Sequence, residues 1–150
     1  MKRKSKDKSS APSASLITED DLYLFNEGSH FGLYEKLGAQ LRSWDGQEGA
    51  QFGVWAPEAR NVSVIGDFNG WDRHSHPLKP RGNSGIWEGF VPGAAKGMAY
   101  KYRVCSKHRG YEADKADPFA IRAESAPRTG SILWDLEFAW NDQTWMKARR

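Results

Sequence analysis

Between residues 39 and 136 the chain is a succession of short alternating segments, each closed by a turn signal. That punctuation narrows the fold more than any other feature. Asp45-Gly46 separates residues 40–44 from 50–56, a two-residue hairpin signal. Phe52 and Val54 share a face of the second segment, and Pro57 stops it. Val62 and Val64 face together in 61–65. In 86–91 Trp87 and Val91 fall on one side and Glu88 on the other, between the turns at 82–85 and Pro92-Gly93. Residues 99–105 place Tyr100, Tyr102 and Val104 on one face and Lys101 and Arg103 on the other. A weaker strand at 111–114 is closed by Asp117-Pro118, and 131–136 sets Ile132, Trp134 and Leu136 in phase. Roughly seven or eight strands at spacings of about 8–12 residues predict an all-β, antiparallel β-sandwich. No strand–helix–strand alternation occurs, which argues against a doubly wound sheet.

The remainder frames this body. Thr18 can cap a short helix whose first turn is acidic (Glu19, Asp20, Asp21), with Leu22, Tyr23 and Phe25 as its apolar face and Gly28 as its stop. A second short turn is expected at 33–37. The plan is therefore a disordered basic tail at 1–17, a helical lead-in at 18–38, the sandwich at 39–137 and a linker at 138–150. The formal charge of +3 is local: residues 2–8 hold five cations and one carboxylate, so the body sits near −1. The tail reads either as a polyanion-binding arm or as a solubilising leader. With an almost neutral body, nucleic acid is not the expected partner. No apolar run approaches the ~18 residues of a membrane span. The single Cys105 excludes an internal disulfide framework, and the expected location is cytoplasmic.

The densest motif is residues 64–72, VIGDFNGWD. Two glycines permit a tight turn, and Asp67, Asn69 and Asp72 can fix it through side-chain to backbone bonds. Trp71 then reads either as a flat platform for the C–H face of a pyranose or as a core plug. Lys101, with three N–H donors, suits sugar hydroxyls or simply solvent. Tyr111 is either a further aromatic contact or hairpin packing. His74 and His76 alone make a poor metal site, and no cofactor is expected. No carboxylate pair with the context of a glycosidase, no phosphate loop and no nucleophile motif is legible, so this chain carries no catalytic residues that can be named.

The strings GDFNGWD, HPLKPRGNSGIWEGFVPG, YKYRV, KADPFA and RTGSILWD, with DLYLFNEG and FGLYEKLGA ahead of them, occur here in order. Together they resemble the N-terminal module of glycogen (1,4-α-glucan) branching enzymes, from about Thr18 to Arg150. Such modules form family 48 of the carbohydrate-binding modules, related to the isoamylase N-terminal domain. The resemblance implies an immunoglobulin-like sandwich followed by a (β/α)₈ barrel that carries catalysis; the barrel signatures DxxxNH and GxRxD do not occur here. In glycogen-binding relatives a Trp in the matching loop stacks on glucose and a Lys in the matching strand bonds it, which implies Trp71 and Lys101. A second stacking Trp falls near Tyr111, and Asn69 joins the set through its loop. An Asn of the last loop falls near Ser131, a departure.

The expected function is a non-catalytic α-glucan-binding (glycogen, maltooligosaccharide) or barrel-supporting module, weak in affinity. The parent would cleave α-1,4-glucan and transfer the chain to form α-1,6 branches. The alternatives are a purely structural interdomain module, with Trp134, Trp140 and Trp145 as the candidates for cover by a barrel, or a free glycogen-targeting regulatory module.

Overall fold

The computed structural model describes residues 14–149, so most of the expected basic tail lies outside the described residues. A helix α1 (Glu19–Glu27) opens the described chain, and a single 3-10 turn (Leu33–Glu35) follows it. Nine strands come next: β1 (Gly38–Trp44), β2 (Gln47–Trp55), β3 (Ala59–Gly66), β4 (Lys79–Pro80), β5 (Ile86–Pro92), β6 (Ala99–Ser106), β7 (Glu112–Lys115), β8 (Arg122–Ala123) and β9 (Ser131–Ile132). A second 3-10 turn, Asp67–Asn69, follows β3, and a short helix α2 (Gln143–Ala148) closes the described chain.

The strands form two sheets, one ordered β1-β2-β5-β4 and the other β3-β6-β9-β8, with β7 also paired to β6. All pairings are antiparallel. The β1–β2 hairpin turns at Asp45 and Gly46, both at positive φ, the geometry that a two-residue primed turn demands. This is an antiparallel β-sandwich, as the strand spacing predicts, and immunoglobulin-like, as the resemblance implies.

The core lies between the inward faces. Phe52, Val54, Val62, Val64, Tyr100 and Tyr102 are all buried in it. The Phe52 ring meets Tyr100 and Tyr102 edge-on, at 5.2 and 6.3 Å between centroids. Asp117 is buried beneath these rings and accepts from the Tyr100 hydroxyl at 2.6 Å and the Tyr102 hydroxyl at 3.2 Å. Burial pushes its carboxyl above the usual range, against the opposing pull of the two hydroxyls and the Phe119 N–H.

A smaller cluster of Ile17, Leu37 and Ile86 receives Leu22 and Phe25 of α1. The helix is held by a complete capping box: Asp21 N–H donates to Thr18 Oγ1, and Thr18 N–H donates to the Asp21 carboxylate at 2.8 Å. Gly28 ends it in the left-handed region.

Four local expectations change. Residues 14–17 are not loose tail: Ile17 is buried, and the Ser15 hydroxyl donates to Glu88 at 2.8 Å. Glu88, expected outward, is consequently covered and also ion-paired to Arg81 at 3.0 Å. In the last strand Leu133, not Ile132, Trp134 or Leu136, enters the core. The reason is register: Ser131 opposes Tyr100, and Leu133 N–H then donates to Met98 O, which aims the odd-numbered residues inward. Finally, the stretch read as linker holds α2.

Candidate functional site

Gly66 leaves β3 so close to β6 that a Cβ there would lie 2.5 Å from Ala99 O and 2.8 Å from the Phe68 ring. Only glycine fits. The next turn is locked by Asn69, whose side-chain oxygen accepts from Gly66 N–H at 3.0 Å while its amide donates to Val64 O at 3.1 Å and bonds His76 Nδ1 at 3.0 Å. Asn69 therefore builds the turn, and its amide donors are already engaged.

Gly70 and Trp71 follow in the left-handed region, with φ of 62° and 63°. For a bulky residue such as Trp this is an outlier that costs on the order of 1–3 kcal/mol, and the turn must hold it. It does: Trp71 N–H donates to Gly66 O at 3.0 Å, and the indole N–H donates to Asp67 Oδ1 at 3.1 Å. The other oxygen of Asp67 accepts from Ala99 N–H at 2.9 Å, anchoring the indole to the start of β6. Trp71 is 38% exposed and does not join the core. The platform reading and the core-plug reading of the sequence separate on this point, and the ring is accessible.

Lys101 opposes Ile65 on β3 and faces away from the core. Its Nζ donates to Thr129 Oγ1 at 2.8 Å, which leaves two N–H donors on the ammonium. Trp71 hangs from Gly66, the partner of Tyr100, so Trp71 and Lys101 occupy the same end of the β3–β6 pair. Tyr111 does not. Its carbonyl accepts from Ser106 N–H, at the far end of β6, roughly 16 Å of strand from Lys101. It is exposed there, with the Lys115 ammonium 5.5 Å from its ring. Ser131 is buried and accepts from Asp117 N–H at 2.9 Å, so it too is committed to the fold.

Two residues of this site were not singled out from the sequence as site members. Asp67 orients the indole, and Thr129 steadies Lys101. The aspartate carried a signal, since it sits between the two glycines of the turn; nothing in the spacing of Thr129 announced that it would reach β6.

A different surface lies at the chain's C-terminal end. Leu136, Phe138, Trp140, Trp145 and Met146 are all more than half exposed. Phe138 and Trp140 pack on each other edge-on at 4.9 Å, and among the described residues none beyond 133 belongs to the core. The Trp134 ring, by contrast, is engaged by the Lys96 ammonium at 4.4 Å and the Arg122 guanidinium at 4.3 Å.

Comparison with known proteins places this geometry. The family model for carbohydrate-binding module 48 (isoamylase N-terminal domain) matches residues 36–120. The 1,4-alpha-glucan branching enzyme GlgB of Rhodopirellula baltica is 49% identical over 136 residues, 90% of this chain and 18% of that protein. The enzyme of the same name from Synechococcus sp. (strain JA-2-3B'a(2-13)) is 52% identical over 134 residues, 89% of this chain and 17% of that protein. The chain thus spans under a fifth of the length of these curated relatives. Among solved structures, Klebsiella pneumoniae pullulanase complexed with maltotriose aligns with a TM-score of 0.56 at 26% identity, covering 77% of this chain and 11% of that one. Pullulanase from Bacillus acidopullulyticus aligns at 0.52 and 27% identity, covering 66% and 12%. The family match takes in more than half of the sequence, from the lead-in through β7 to Asp117 and Phe119, and the chain belongs to the carbohydrate-binding module 48 (isoamylase N-terminal domain) family.

Proposed function

We propose that this domain is a non-catalytic α-glucan-binding module of a glycogen branching enzyme. The observation that carries the reading is the Trp71 indole, held at positive φ and tied through Asp67 to β6 while its ring stays accessible. A ring fixed in advance loses little rotamer freedom when a pyranose stacks on it. The two remaining Lys101 donors then meet the sugar's hydroxyls, while Thr129 holds the ammonium in place. One aromatic face and one ammonium make a shallow site. Association costs several kcal/mol before any gain, so affinity near the millimolar level, about −4 kcal/mol, is the expected range. Asn69 contributes by shaping the turn, and Tyr111 lies outside this subsite. The parent would cut an α-1,4 linkage and pass the chain to a 6-hydroxyl in the cytoplasm, with this module positioning the polymer. Affinity electrophoresis in glycogen-containing gels tests the reading: Trp71→Ala should abolish the glycogen-dependent retardation, and retardation unchanged by that substitution would refute it.

The exposed 136–146 stretch supports a second, compatible role. Five large apolar side chains exposed in eleven residues exceed what an isolated domain ordinarily leaves in water. Docking against a catalytic barrel would cover them. Light scattering tests this: Phe138→Ser/Trp140→Ser should suppress concentration-dependent association of the isolated chain, and unchanged association would argue against it.

A further inference from the structure

The edge of the sandwich where β3 looks toward β4 holds a feature that the Trp71 platform does not use. The 76–78 segment crosses from one sheet to the other there, with Val64 N–H donating to His76 O at 3.0 Å and Leu78 N–H to Val62 O at 2.8 Å. Beside this crossing are two depressions of about 440 and 470 Å³. Both are lined by Trp87 and Arg60, so they join into one trough. Each has the size of a small-ligand cleft, about 300–1,000 Å³.

The lining is unusually uncommitted. Asn61 and Ser63 stand on one side of Arg60, and Asn83 on the other. Among the described residues, no side-chain hydrogen bond or ion pair engages Arg60, Asn61, Ser63 or Asn83. Trp87, half-buried, is fixed by its indole N–H, which donates to Ala56 O at 3.1 Å. The trough thus combines a rigid indole, two free amides, a free hydroxyl and a free guanidinium.

Part of the charge in the lining is already paired. Arg103 is spent on Glu112 and Asp114, Arg73 on Asp114, and Lys107 donates to Pro57 O at 3.2 Å. Among the described residues Arg60 and Lys107 have no carboxylate partner, since Lys107 bonds only a neutral carbonyl, and the Glu112 carboxylate stands on the same wall as Arg60. A neutral polyol is not repelled by Glu112 and can use every one of these donors. It can accept from Arg60 and the amides, donate to their oxygens and lay C–H groups against Trp87.

We propose that this trough is a second α-glucan subsite, separate from the Trp71 platform. Arg60 stands near the start of β3 and Gly66, from which Trp71 hangs, ends it, so the Arg60 end of the trough lies roughly 20 Å of strand from the platform, while its other end, at Arg73 and His74, adjoins the Trp71 loop. The inference rests on the reading of the domain as a glucan binder, and its test separates the two.

Maltoheptaose is titrated into the ¹⁵N-labelled 150-residue chain, following the indole N–H resonances of Trp71 and Trp87. The same titration is repeated with Trp71→Ala and with Arg60→Ala/Asn83→Ala, both exposed positions whose replacement spares the core. The expected result is saturable movement of the Trp87 resonance that persists in Trp71→Ala and weakens at least tenfold in Arg60→Ala/Asn83→Ala. Movement at Trp71 with a static Trp87 overturns the trough and leaves the platform standing. Movement at Trp87 alone supports the trough and refutes the platform. A Trp87 response to inorganic phosphate at matched ionic strength, with none to maltoheptaose, also overturns the proposal, as does a response unchanged by Arg60→Ala/Asn83→Ala. Unfolding of that double variant would show as collapsed dispersion of all indole signals; Asn83→Ala alone then carries the comparison.

Discussion

Replacing Asp117 by Ala tests the polar centre of the core. Its carboxylate accepts from two tyrosine hydroxyls, at 2.6 and 3.2 Å, on rings that are 1% and 0% exposed. Water cannot take its place without opening the sandwich. Each hydroxyl left unpaired costs about 1–3 kcal/mol. The Phe119 N–H, which donates to Asp117 Oδ1 at 2.9 Å, loses its acceptor as well. Against this, removing a desolvated carboxylate gives back part of its several-kcal/mol burial cost, about 2–3 kcal/mol. The expected net loss is about 3–4 kcal/mol, which for a chain of this size lowers Tm by about 10 °C. Asp117→Asn keeps an acceptor oxygen for the hydroxyls without the charge, and should lose less than half as much. Urea unfolding followed by tryptophan fluorescence measures both, as a shift in midpoint at constant slope. The pH dependence has a definite sign. Because the folded-state pKa of Asp117 is raised, the stability it contributes is fully present below the unfolded pKa and is lost as pH rises through the folded one. Wild type should therefore gain on Asp117→Asn toward acid pH. A loss under ~1 kcal/mol for Asp117→Ala at neutral pH, or a wild-type advantage growing toward alkaline pH, would refute this reasoning.

Three further outcomes are expected. Gly66→Ala drives a methyl to 2.5 Å from Ala99 O and should cost about 2 kcal/mol or more by chemical denaturation while blurring the Trp71 indole signal. Thr18→Ala removes the N-terminal cap of α1 and should cost about 1 kcal/mol by the same assay, with the sandwich core undisturbed. Burial alone would raise the Asp21 pKa, but the Thr18 N–H and His30 outweigh it and hold the carboxylate below its usual range. Its contribution is present above the unfolded pKa and lost as pH falls below about 4, so Asp21→Asn should flatten the acid limb of a stability–pH curve.

The sandwich was legible because its long strands alternate cleanly. Tyr100 and Tyr102 against Lys101 and Arg103, and the Asp45-Gly46 turn, carry their burial and geometry in the residue types themselves. What failed to show was set by distant partners. Leu133 enters the core because Ser131 is pinned opposite Tyr100, a constraint from across the sheet. Glu88 is covered because Ser15, 73 residues away in sequence, reaches it. The two-residue strands β4 and β8 are too short to hold any period. At the site, the turn chemistry of Gly66, Asn69 and Gly70 was readable, but whether Trp71 on that turn faced solvent or the core was not, because the answer lies in its bonds to Gly66 and Asp67. The separation of Tyr111 from Lys101 was not, because it depends on which end of β6 the β7 hairpin returns to.

The central claim is that the Trp71 indole, on its Asp67 anchor, is where glucan meets this domain. Isothermal titration of maltoheptaose into the wild-type chain, Trp71→Ala and Lys101→Ala, each with Arg60→Ala/Asn83→Ala added to silence the trough, tests it most directly. The account predicts a measurable near-millimolar isotherm for the trough-silenced parent, its loss in Trp71→Ala and a several-fold weakening in Lys101→Ala. An isotherm unaltered by Trp71→Ala in a folded protein would contradict it.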